Sequence, residues 1–133
     1  MATRAVGGGE RYVGRRIVSL SGVDHASVKV PQGADLARIQ PNLFSSRDAD
    51  YWLLIGRGVD LSGDPIVPDT TAAFFEVAIQ DGDVLTDCFP AAQMINLALV
   101  DDAGTAVNGG ANDLVVATYY TNLAGRLGRK GAA

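Results

Sequence analysis

Phe75-Glu76-Val77-Ala78-Ile79-Gln80-Asp81-Gly82-Asp83-Val84 decides the fold class. Phe75, Val77 and Ile79 share one side of a period-2 pattern, Glu76, Ala78 and Gln80 take the other, and Asp81-Gly82 supplies a turn before Val84 resumes. Alternation at that period lets a strand bury one face, whereas an amphipathic helix would need apolar residues three and four apart. The stretch predicts a β-hairpin within Ala73 to Phe89.

The same period recurs on the C-terminal side. Ile95, Leu97 and Leu99 alternate with Asn96 and Ala98, and Val115, Ala117 and Tyr119 alternate with Val116, Thr118 and Tyr120. The second of these, Leu114 to Thr121, is apolar on both sides, which places it inside a sandwich or an interface. Short apolar segments also run from Ile17 to Leu20, Ser27 to Val30 and Trp52 to Gly56. Ser21-Gly22, Ser62-Gly63-Asp64-Pro65, Ala103-Gly104 and Asn108-Gly109-Gly110 punctuate them with turn chemistry. The one helical candidate, Asp35 to Ile39, is cut short by Pro41. These features predict an all-β, single-domain β-sandwich. The irregular stretches Gln32 to Ala49 and Asp60 to Thr71 suit a jelly-roll-like arrangement better than a tight meander.

Charge divides the chain into three. Arg4, Arg11, Arg15 and Arg16 against Glu10 leave residues 1–16 at +3, and Arg126, Arg129 and Lys130 leave the last eight residues at +3. Between them four cations face fourteen acids, a net of −10, in keeping with the total of −4. The expected organisation is a flexible basic arm over 1–16, a sandwich domain over 17–122 and a basic tail over 123–133. Gly7-Gly8-Gly9 predicts a mobile arm, because ordering three glycines costs much backbone entropy with little apolar surface to offset it. An acidic body with basic ends is suited to contact with another macromolecule. The seven cations of the two ends are the expected partner-binding residues.

At 133 residues a domain buries roughly two thirds of its unfolded surface and can stand without a metal or disulfide. Cys88, the single cysteine, has no internal partner, so a reducing compartment is the simplest setting. No apolar run reaches the roughly 18 residues of a membrane span, and the N-terminus has Arg and Gly where a signal peptide needs an apolar stretch.

No catalytic set is expected. Asp24-His25 could orient an imidazole, but spacing places no nucleophile beside it, and a surface or turn histidine is the plain reading. Cys88 has nothing basic near it in sequence and is expected to be a buried, inert thiol. One His and one Cys cannot fill a zinc shell, and Asp81-Gly82-Asp83 fails the calcium-loop spacing. Asp60, Asp64 and Asp69 are the acids with which a weak calcium site could be built, although Asp is also the standard turn residue. Gly125 to Gly131 lacks the phosphate-loop spacing. No cofactor is expected, and the aromatic residues read mainly as core.

A small sandwich spanning Ile17 to Thr121, with arms Met1 to Arg16 and Leu123 to Ala133, resembles the decoration or cement proteins that tailed bacteriophages place on their capsids. The resemblance implies a non-enzymatic virion protein, made in the host cytoplasm, that contacts copies of itself and bridges major capsid protein subunits to reinforce the shell. A tail or neck ring component shares the same architecture. A nucleic-acid module using the basic tails is opposed by the −10 body.

Overall fold

The alternating segments resolve into eight strands: β1 (Glu10–Ser19), β2 (His25–Lys29), β3 (Leu36–Leu43), β4 (Trp52–Gly58), β5 (Val77–Ile79), β6 (Leu85–Cys88), β7 (Met94–Val100) and β8 (Asp113–Asn122). The computed structural model describes residues 10–44, 50–58, 60–61 and 75–122. Two antiparallel four-stranded sheets, ordered β1-β8-β3-β6 and β2-β7-β4-β5, pack as a sandwich. The pairing is nested: β1 with β8, β2 with β7, β3 with β6, β4 with β5. Every connection except β4 to β5 passes from one sheet to the other.

The inner faces explain the sequence pattern. Ile39, Val115 and Ala117 of the first sheet join Leu53, Ile55, Ile95, Leu97 and Leu99 of the second in one buried cluster. Each such Val, Leu or Ile side chain stabilises by about 1.5–3 kcal/mol on burial, so register is fixed by which residues face inward. β8 alternates strictly between buried and half-buried positions. β7 is buried on both faces from Ile95 onward because its outer side is also covered. There Asn96 Oδ1 accepts the Ser27 hydroxyl at 3.3 Å, while the Leu61 amide donates to that hydroxyl at 2.7 Å.

Four expectations need correction. Asp35 to Ile39 is not helical: Leu36–Leu43 is β3, and Pro41 is tolerated because it lies beyond the last β3–β6 pair, Ile39 with Leu85, where the strand is an edge. Phe75 to Val84 is not a hairpin, since β5 pairs with β4 and β6 with β3. Asp83 N–H closes a turn on Gln80 carbonyl at 3.0 Å with positive φ at Gly82 and none at Asp81, the type II pattern. A two-residue hairpin needs the primed types to match strand twist; this turn carries the chain between sheets instead. The first strand begins at Glu10, so residues 10–16 belong to the sheet rather than to an arm. Cys88 is exposed, at the end of edge strand β6. Residues 1–9 and 123–133, with the glycine run and the tail, lie outside the described residues, as do Asp64 and Asp69.

One side chain links the sheets at the β5–β6 side. From β4, Arg57 donates through Nη1 to the Cys88 carbonyl at 2.6 Å, pairs through Nη2 with Asp87 at 3.1 Å and through Nε with Glu76 at 3.1 Å. Its guanidinium carbon lies 4.2 Å from the centroid of the buried Phe89 ring.

Candidate binding surface

Antiparallel pairing places cross-strand partners on the same face, so the register defines the outer surface of the first sheet. Arg15, Thr118 and Arg38 form one rung across β1, β8 and β3; Tyr12, Tyr120 and Leu36 form the next. Ile17, Val116 and Gln40, then Ser19, Leu114 and Asn42, continue away from the chain ends. Tyr12 is 60% and Ile17 55% exposed. The rings of Tyr12 and Tyr120 meet edge to face, 6.3 Å apart at 75°, and the Arg38 guanidinium lies 5.2 Å over Tyr120. On these four rungs there is no acid.

Of the expected binding residues, Arg11, Arg15 and Arg16 are exposed on β1, while Arg4, Arg126, Arg129 and Lys130 lie outside the described residues. β1 is an edge strand, and its register shifts between Tyr12 and Gly14. Arginines and a bulge are what a protein uses to keep an exposed edge from pairing with another sheet. Protection of the edge therefore accounts for part of the charge that the sequence pattern assigns to binding.

Strand direction also sets where the charged groups lie along the molecule. The chain enters the described sheet at Glu10 and leaves at Asn122, and these residues are direct partners, so both basic segments join the sandwich at one end. The opposite end carries the β1–β2, β5–β6 and β7–β8 connections with Asp24, Asp81, Asp83, Asp101 and Asp102. Asp50 precedes β4 at that end too. The end where the chain enters and leaves holds Glu10, Asp35 and Asp87 beside its arginines, so among the described residues both ends carry acids.

Among the described residues the Asp24-His25 pair has no nucleophile beside it. Asp24 Oδ1 and His25 Nδ1 do meet, at 2.6 Å, with the histidine side chain 11% exposed at the start of β2 rather than on a surface loop. Yet Ser27, the hydroxyl two residues on, donates to Asn96 instead. Among the described residues no group of three His, Cys, Asp or Glu could hold a metal ion. Sequence reading missed the Tyr12, Arg38 and Tyr120 cluster, because only strand register brings residues so far apart in the chain together.

Comparison with family models, curated proteins and solved structures finds no match for this chain.

Proposed function

We propose that the protein is a non-enzymatic structural component of a virion that docks on the outer surface of a phage capsid, contacts its own copies and bridges major capsid protein subunits. The observation that carries this is the outer face of the first sheet: apolar at Tyr12, Ile17, Leu114 and Val116, with Arg15 and Arg38 on the rung between them and no acid on its four rungs. A broad, low-charge sheet face with aromatic and arginine anchors suits a protein partner. The nested strand pairing supports taking the sandwich as a jelly roll, an architecture used by viral capsid domains. Ile17→Asp, more than half exposed in the parent, tests the reading. It should leave melting and circular dichroism unchanged and abolish co-sedimentation with shells of the virus that carries the gene. Undiminished sedimentation by the folded variant would refute it.

The Tyr12, Tyr120, Arg15 and Arg38 cluster favours a second reading, a stacking platform for single-stranded nucleic acid. Salt-sensitive binding of an oligonucleotide, lost in Tyr12→Ala, would select it over shell docking.

A further inference from the structure

The outer face of the first sheet does not stop at its fourth rung. Beyond Ser19, Leu114 and Asn42, period-2 alternation puts Phe44 on the same side as Asn42, and Phe44 is 55% exposed. There the surface dips into a hollow of about 400 Å³ lined by Ser19, Phe44, Ala111, Asn112 and Leu114. Asp113 borders it too, but the residue is 1% exposed and its carboxylate accepts the Gly110 amide at 2.8 Å, so it presents little charge to the surface. At the other end of the aliphatic rungs stand Arg15 and Arg38, and among the described residues neither makes an ion pair. Four residues of strand, about 13 Å, separate their rung from that of Ser19 and Leu114.

Two uncompensated guanidinium groups on a face without an acid across four rungs complement a carboxylate; Glu10, one rung beyond Tyr12, is the first acid along β1. A second copy laid against this face would bring arginines and no acid to answer them, which opposes self-contact here. Nucleic acid would satisfy the arginines but offers little aliphatic surface to Ile17, Val116, Leu114 and the hollow. We propose that the face receives an acidic protein segment that seats one apolar side chain in the hollow beside Phe44 and, about 13 Å along the strands, one carboxylate between Arg15 and Arg38. Ile17 and Val116 pack against whatever spans the two anchors. An extended segment meets both with side chains at i and i+4, because a strand rises about 3.3 Å per residue. The inference rests on reading this face as a protein-docking surface, whether or not the partner is a viral shell.

The test titrates the full isotope-labelled chain with a cyclic β-hairpin peptide, one strand of which reads Leu-Thr-Val-Thr-Glu, so that Leu, Val and Glu share a face. NMR follows the Ile17 and Leu114 methyls, the Phe44 ring and the Nε–H groups of Arg15 and Arg38. Saturable shifts at both ends of the face are expected. Gln in place of the peptide's Glu should weaken binding about fivefold, the worth of an exposed ion pair. Ala in place of its Leu should weaken it about tenfold through lost apolar burial. The doubly substituted Arg15→Gln, Arg38→Gln protein should bind the Glu and Gln peptides alike, and Phe44→Ala should narrow the gap between the Leu and Ala peptides. The peptide substitutions act on the parent chain, so the result does not depend on either variant folding. Absence of saturable shifts, or equal affinity of the parent for either pair of peptides, would overturn the proposal. Tighter binding of an oligothymidine than of the hairpin would overturn it as well and assign the face to nucleic acid. Peptide binding with undiminished sedimentation of Ile17→Asp removes the shell reading alone; lost sedimentation without peptide binding removes this inference alone.

Discussion

Replacing Arg57 with alanine should destabilise the sandwich by about 3 kcal/mol. The charge-assisted bond to the Cys88 carbonyl, made by a side chain only 24% exposed, is worth about 1.5 kcal/mol, the lower end for such bonds. Contact with the Phe89 ring at 4.2 Å adds about 0.5–1 kcal/mol. Asp87 and Glu76 are more than half exposed, so screening leaves their two ion pairs about 0.5 kcal/mol together. For a domain of this length the total corresponds to a fall of about 10 °C in Tm, measurable by thermal and urea unfolding. Arg57→Lys should recover only about 1 kcal/mol, because a point charge cannot reach a carbonyl, a carboxylate and a ring at once. Added salt should change the difference by no more than the ion-pair share. A loss below about 1 kcal/mol, or one that salt erases, would show that Arg57 is an ordinary surface ion pair rather than a link between sheets.

Gly109→Ala should cost about 3 kcal/mol or prevent folding, since the new Cβ would collide with the carbonyl and side chain of fully buried Leu20; urea unfolding checks it. Cys88, exposed in the fold, should react with a thiol reagent in the native protein as fast as in urea, and a protected thiol would contradict the placement of β6. Because the Tyr119 pKa is raised on folding, the unfolded chain loses that proton first as pH climbs past 10. Stability should therefore decline above that pH, and Tyr119→Phe should flatten the decline in alkaline urea melts.

Strands β7 and β8 were legible because their inward residues alternate without interruption, and both lie at the centre of a sheet. β3 was not: Leu36 and Ala37 are both buried, which hides the period, and Pro41 reads as a helix stop until its edge position is known. Asp81-Gly82 showed that a turn exists but not which sheet each flank joins, a choice made by φ at Gly82 and by Asp81 Oδ1 accepting the Leu43 amide at 2.7 Å. Of the candidate surface, the arginines of β1 were visible as charge. Their neighbours Arg38 and Tyr120 were not, since cross-strand proximity is a property of register and not of local sequence.

The order in which the chain is synthesised acquires a meaning from the placement of β8. This last strand is the hub of its sheet, the partner of both β1 and β3, with Ser19 held against Leu114. As the polypeptide leaves the ribosome, β1 therefore waits with both edges open until Asp113 and its successors emerge. Closing so long a loop costs entropy before any contact repays it, which makes folding slow and exposes the early strands to mispairing. A product truncated before β8 cannot complete the sheet, so maturation of the fold is deferred until synthesis has passed Asn122.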